Sequence, residues 1–327
     1  MTQQPSESKL PILLVVDDQP LNIQILVHIF GLDHTVLTAS SGAQAIALCA
    51  EQLPDLILLD VMMPDMDGHE VCRRLKAEPR TRDIPVIFIT VQSDPDEEAT
   101  GLELGAVDFI PRPLNAAVVR ARVQTHLKLR QALNQVWELA FHDALTGLPN
   151  RRLLNDRLGQ AMAVSQRNPY FGALMFLDLD NFKPLNDVHG HEVGDVLLVE
   201  VAQRLLRCVR EVDTVARFGG DEFVVLLSAL ASDESESATR AATVAEKIRN
   251  ALAEPYRLVV EQEDAPPVHV EHRCTASIGV TLFQGHEATI ADLIKWADAA
   301  MYDAKNAGRN TISLYKPTDP AAPASAA

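Results

Sequence analysis

Apolar residues in the first third of the chain come in short, near-continuous runs. The runs at 12–16, 34–38, 55–59, 85–90 and 107–110 predict five strands. Between them, 20–31, 41–52, 67–77 and 96–105 carry the spaced apolar pattern of amphipathic helices. Strands that are apolar on both faces belong to a parallel sheet covered by helices on both sides, so the pattern predicts a doubly wound α/β domain. From 114 to 140 neither Pro nor Gly interrupts the chain, which predicts one long helix. Val119, Val123, His126, Arg130, Leu133, Trp137 and Ala140 follow a 4-3 spacing, with Leu129 and Val136 beside them. That seam is only partly apolar. It fits a short parallel dimer stalk, and equally a helical linker docked on its own domain.

The second half mixes the two periods. Residues 171–178, 214–227 and 275–283 read as strands, the middle one as a hairpin turning at Gly219-Gly220. Residues 191–210, 235–253 and 289–306 read as helices. The expectation is an α+β domain with a mostly antiparallel sheet. Acidic loops are expected at 231–237 and 261–267, and a disordered Pro/Ala/Ser tail at 317–327.

Length and charge narrow the function. A chain of 327 residues with 47% hydrophobic residues can bury two cores. A net charge of -16 repels DNA, RNA and anionic membranes, so no nucleic-acid or membrane partner is expected. Any nucleotide handled here should be small and carried with a metal. Cys49, Cys72, Cys208 and Cys274 are scattered, as in a reduced, cytoplasmic protein. The first nine residues lack a signal-peptide core, and no apolar run reaches the ~20 residues that span a bilayer.

Two constellations carry chemistry. Asp17, Asp18 and Asp60 lie at predicted strand ends, which meet at one edge of a doubly wound sheet. Three carboxylates there call for a cation, and Mg²⁺ with a phosphate fits. Thr90 could bond a phosphoryl oxygen and Arg112 could supply positive charge. In the second half, Asp178 ends a strand and Asp221-Glu222 follow the paired glycines. A chance acidic pair on a hairpin is the plain alternative. Asp178 beside Asp221 would hold one or two Mg²⁺ ions and a triphosphate. Lys183, Lys305 and Arg309 could contact phosphates, although a solvated helix face is the ordinary role of the last two. Asn186 and Asp195 offer groups that read guanine, because a carboxylate accepts from its adjacent ring N–H and amine. Asp180 is expected to orient neighbours and not to bind metal.

The segments VVDD (15–18), LLDVMMPDMDG (58–68), FIT (88–90) and GAVDFIPRP (105–113) strongly resemble a response-regulator receiver domain. That implies a flavodoxin-like sheet of order 2-1-3-4-5, with Asp60 as phosphoacceptor from a cognate histidine kinase. It also implies Mg²⁺ held by Asp18, Asp60 and the Met62 carbonyl, with Asp17 assisting, and a Thr90–Phe109 switch pair. The family carries Lys where this chain has Arg112.

DALTGLPNRR (143–152), DLDNFKPLND (178–187), GHEVGD (190–195), RFGGDEF (217–223), ASIGV (276–280) and ADAAMYDAKNAGRN (297–310) resemble the GGDEF domain of diguanylate cyclases. The resemblance implies a nucleotidyl cyclase-like fold. Mg²⁺, with Mn²⁺ as the alternative ion, would be held by Asp178, the Leu179 carbonyl and Asp221, with Glu222 near the metals or the attacking 3′-hydroxyl. Two GTP molecules on a homodimer would give cyclic di-GMP and two pyrophosphates. Arg210 and Asp213 match the family's RxxD product-inhibition site, a helix-end ion pair being the plain alternative.

The expected organisation is a receiver domain at 10–126, a helical linker at 127–141 and a GGDEF domain at 142–316. The alternatives are an inactive GGDEF domain serving as a cyclic di-GMP or GTP receptor, and a cyclase making mixed purine products. A DNA-binding regulator lacks a basic recognition element.

Overall fold

The computed structural model describes residues 10–90, 95–260 and 267–315. The expected tail at 317–327 and most of the loop at 261–267 lie outside them. The chain divides into two compact units, Met1–Gln135 and Val136–Ala327.

In the first unit, β1 (Ile12–Val16), β2 (Thr35–Ala39), β3 (Leu56–Asp60), β4 (Val86–Thr90) and β5 (Asp108–Pro111) form a parallel sheet of order β2-β1-β3-β4-β5. The helices are α1 (Pro20–Phe30), α2 (Gly42–Gln52), α3 (Gly68–Ala77), α4 (Pro95–Glu103) and the start of α5 (Ala116–Phe141). Alternation within each strand sends Leu14, Val16, Ile57, Leu59 and Phe88 into one core with α2 and α3. Leu13, Val15, Leu56, Leu58 and Ile87 enter the other, with α1 and α5. α3 begins where the Asp67 carboxylate accepts from the Glu70 N–H. The connection from β5 to α5 contains a cis Arg112–Pro113 bond.

The first half of the α5 seam does not face outward. Val119, Val123 and Leu127 are buried in the unit's own core. His126 meets Asp108, and Arg130 donates to the Pro54 and Asp55 carbonyls. The exposed apolar stripe is the later one: Leu129, Leu133 and Val136 are 54%, 60% and 63% exposed. Sequence spacing reports which residues align, and the sheet beneath decides which of them find a partner.

The second unit adds α6 (Arg151–Arg167), β6 (Gly172–Asp180), α7 (Phe182–His189), α8 (His191–Cys208), β7 (Thr214–Gly219), β8 (Glu222–Leu227), α9 (Glu234–Ala253), β9 (Tyr256–Val260), β10 (Val268–His272), β11 (Thr275–Phe283), α10 (Ile290–Asn306) and β12 (Ile312–Leu314). The sheet order is β12-β11-β6-β8-β7, antiparallel except for β11 with β12. β9 and β10 form a separate two-stranded ribbon. β6 is buried along its whole length. Its Met175, Leu177 and Leu179 pack toward α8 and α9, and Leu174 and Phe176 pack toward α6 and α10. By the same alternation Asp178 and Asp180 fall on the α10 side. α10 opens with a reciprocal Thr289–Asp292 capping box.

Candidate functional site

In the first unit, the three aspartates meet at the carboxyl edge of the sheet. Asp17, Asp18 and Asp60 bring ligand atoms within 4.8 Å of one another, the one such acidic group among the described residues. Asp17 and Asp60 are buried, and the Asp18 Oδ1 is buried with no hydrogen-bond partner among the described residues. Such an orphaned acceptor is the feature a bound cation would satisfy. Arg112 reaches both acids: Nη2 donates to an Asp17 oxygen and lies 2.9 Å from Asp60 Oδ1. Burial pushes the Asp60 carboxyl up to about 6, against the pull of Arg112 and with repulsion from Asp17 and Asp18. Thr90 and Phe109 are buried on β4 and β5, and the Phe109 ring packs 5.6 Å from that of Phe88. Met62 is exposed beside the pocket.

In the second unit Asp178, Asp221, Glu222 and Lys305 gather around the β6–β8 ladder. Asp178 lies opposite Glu222 in register, and the Leu179 N–H donates to the Asp221 carbonyl at 3.3 Å. Lys305 Nζ lies 2.8 Å from Asp178 Oδ2. Burial raises the Asp178 carboxyl despite its bond to Lys305, and Asp221 and Asp180 push it further. Burial likewise raises Glu222, helped by Asp178, Asp221 and Asp298. This surplus of negative charge fits a divalent cation. Asp180 is spent elsewhere. It accepts from Thr275 Oγ1 at 2.6 Å, Ser277 Oγ at 2.8 Å and the Asn310 N–H at 3.0 Å, which ties β6 to β11 and to the turn after α10.

The turn itself differs from the expected Gly219-Gly220 loop. Gly219 pairs with Glu222, so the two-residue loop is Gly220-Asp221, and of the two glycines only Gly220 has positive φ, at +51°. A bulge between Arg217 and Gly219 accounts for the slip. Asp221 thus sits in the turn and Glu222 begins the strand. Arg309 also differs: α10 ends at Asn306, and Arg309 lies beyond it at φ +62°. Lys305 and Arg309 therefore do not share a helix face.

Lys183 and Asp195 are exposed on α7 and α8. Asn186 Oδ1 is buried without a partner among the described residues, close against Gly194, where a Cβ would come within 1.9 Å of it. An amide held this tightly with an idle acceptor suits recognition of a base edge. Arg210 and Asp213 form a two-pronged ion pair at 3.0 and 3.1 Å, and Arg210 also donates to the Ser228 carbonyl. Asp213 is buried, while the Arg210 side chain keeps 57% exposure.

Two residues escaped the sequence reading. Arg217 donates to the Gly220 carbonyl at 2.8 and 3.0 Å and to both Asp143 oxygens at 3.0 and 3.2 Å. Asp143 also accepts from Thr146, and these bonds together outweigh burial and hold its carboxyl below the ordinary value. The loop before α6 is thereby fastened to the turn that carries Asp221. Both residues lie inside motif segments, but 74 residues separate them and no spacing pairs them.

Residues 140–311 match the family model described as "Diguanylate cyclase, GGDEF domain", and residues 13–124 match "Response regulator receiver domain". The chain belongs to the GGDEF diguanylate cyclase family and also carries a receiver domain. Among curated relatives, "Response regulator PleD" of Caulobacter vibrioides is 32% identical over 308 residues, 92% of this chain and 65% of that protein. "Bifunctional diguanylate cyclase/cyclic di-GMP phosphodiesterase MucR" of Pseudomonas aeruginosa is 45% identical over 188 residues, 58% of this chain. The chain spans 25% of the length of MucR. Among solved structures, the coiled coil and GGDEF domain of DgcB from Caulobacter crescentus, in complex with c-di-GMP, is 29% identical with a TM-score of 0.51. It covers 61% of this chain and 97% of its own. Among the described residues no helix is long and apolar enough to cross a membrane.

Proposed function

We propose that the chain is a response-regulator diguanylate cyclase, condensing two GTP molecules into cyclic di-GMP on a homodimer. The observation that carries this is the meeting of Asp178 on β6 with Asp221 and Glu222 at the β7–β8 turn, next to Lys305, together with the idle acceptor of Asn186. In each half-reaction the 3′-oxygen of one GTP bonds to the α-phosphorus of the other. The bond from that phosphorus to the bridging oxygen breaks, and pyrophosphate leaves. Glu222, opposite Asp178 on β8 and next to Asp221, is the group we assign to take the hydroxyl proton. Asp178, Asp221 and the Leu179 carbonyl would hold Mg²⁺ or Mn²⁺, which when bound offsets the triphosphate charge. Lys183 and Arg309, both exposed, would bind phosphates, and Lys305 would turn from Asp178 to join them. Asn186 and Asp195 would read guanine.

Regulation follows from the need for two copies. Phosphorylation of Asp60 by a histidine kinase, with Mg²⁺ on Asp17, Asp18, Asp60 and the Met62 carbonyl, would reorient Thr90 and Phe109 and favour receiver pairing. The stripe Leu129, Leu133 and Val136 offers a second copy an apolar seam. Cyclic di-GMP would inhibit by prising Arg210 from Asp213. The receiver half argues for a cytoplasmic location.

The test is direct: incubate the purified chain with GTP and Mg²⁺ and identify the product by mass. Cyclic di-GMP with two pyrophosphates per product, lost in Asp221→Asn, is expected. A dimer that binds GTP and yields no cyclic dinucleotide would make the domain a receptor.

A further inference from the structure

The receiver pocket carries its own cation. Arg112 Nη2 donates to Asp17 and to Asp60 at once, with 16% of the Arg112 side chain exposed against 0% and 5% for the two acids. The other Asp17 oxygen is also taken: Oδ1 accepts from the Gln19 N–H and from Asn22 Nδ2, both at 2.9 Å. Asp17 is therefore fully bonded within the protein. Of the three acids, the orphaned oxygen belongs to Asp18. Arg112 is itself fixed at its root, where its N–H donates to the Thr90 carbonyl at 2.8 Å, and its Nε is buried without a partner among the described residues.

We propose that Arg112 is a tethered counter-ion that competes with the divalent metal for Asp17 and Asp60. The inference rests on the receiver reading above. A single guanidinium nitrogen, Nη2, bonds both carboxylates, and a guanidinium is more weakly hydrated than an ammonium, so it settles more readily between two buried acids. A metal entering this pocket must break a buried two-carboxylate bridge, and separating buried charges is costly. A lysine ammonium, compact and strongly hydrated, would hold the two acids less firmly. Arg112 thus raises the metal concentration at which Asp60 can accept a phosphoryl group, and makes the switch respond to the metal as well as to the phosphodonor.

The test compares the full-length wild type with Arg112→Lys and Arg112→Gln. Free Mn²⁺ is followed by electron paramagnetic resonance as protein is added. Sites in the GGDEF half are common to all three proteins and cancel in the difference. Both variants should bind the additional ion about tenfold more tightly than wild type. In parallel, phosphorylation by acetyl phosphate is followed by intact mass across a Mg²⁺ series. In that step an Asp60 oxygen bonds to phosphorus as the bond from phosphorus to the acetyl oxygen breaks and acetate leaves. Half-maximal labelling of Arg112→Lys should need about a tenth of the Mg²⁺ that wild type needs. Equal Mn²⁺ affinities overturn the proposal, whatever the labelling shows. Tighter Mn²⁺ binding by both variants with no labelling of any protein upholds the competition and removes the phosphorylation reading instead.

Discussion

Replacing Arg217 with Met removes four bonds from the turn that carries Asp221 and leaves the length of the side chain in place. Two of those bonds go to the Gly220 carbonyl and two to the Asp143 carboxylate. A hydrogen bond involving a charged group contributes about 1.5–3 kcal/mol. The Arg217 and Asp143 side chains keep 13% and 25% exposure, which sets the pair at the lower end of that range. The coupling between them should be about 1.5 kcal/mol, and Arg217→Met alone should cost about 2–3 kcal/mol because the Gly220 carbonyl is also abandoned. Asp143→Asn keeps an acceptor for Thr146 and loses the charge. Urea unfolding of wild type, the two single variants and the double variant gives the coupling. Trp137, whose ring lies 5.4 Å from Phe141 and 5.2 Å from His142 beside this loop, is one fluorescent reporter. In the proposed mechanism Arg217 acts on turnover only by positioning Asp221, so Arg217→Met should lower kcat about tenfold and shift KM for GTP far less. A coupling below about 0.5 kcal/mol would mean a solvated pair, and the turn would then be held by the β7–β8 ladder alone.

Other consequences follow from single groups. Between pH 4 and 6, folded Asp60 keeps a proton that the unfolded chain has released, so in EDTA the receiver loses stability as pH rises across that window. The shift from 3.8 to about 6 corresponds to about 3 kcal/mol. Hydrogen exchange in β3 and β4 should show Asp60→Asn more protected at pH 7 with a flatter profile, and parallel profiles would refute it. Gly194→Ala puts a methyl group 1.9 Å from the Asn186 oxygen, so it should weaken calorimetric binding of a non-hydrolysable GTP analogue about tenfold. Arg210→Ala should leave the initial rate unchanged and raise the cyclic di-GMP concentration for half-inhibition at least about tenfold. Unchanged inhibition would make the pair with Asp213 a purely structural one.

The receiver sheet was legible because its three central strands are almost wholly apolar, and each predicted strand lies within one or two residues of the observed one. Three kinds of feature were not. α6 is strongly polar on its outer face, and its cap at Asn150 follows a Gly-Leu-Pro turn that reads as loop. β9 and β10 flank an acidic stretch of sequence and bury alternate residues at most, a weak signal beside the buried runs. α7 spans eight residues and includes Pro184, so its composition reads as a loop as well. The site residues were visible through motifs. Their working geometry depends on long-range contacts that no period encodes: Arg217 to Asp143, Asp180 to Thr275 and Ser277, and Arg112 to two acids. The α5 seam stayed open between a dimer stalk and a docked helix, because a helical stripe is the same whether it meets a sheet or a second helix; Val119 and Val123 take the docked role.

The central claim is that phosphorylated Asp60 brings two GGDEF sites together. The most direct measurement records cyclic di-GMP formation and sedimentation on the same samples, with and without acetyl phosphate, while intact mass reports phosphorylation. The account predicts that labelled wild type shifts to dimer and that its rate rises with the dimer fraction, while Asp60→Asn does neither. Full labelling with no change in rate or in oligomeric state would contradict it.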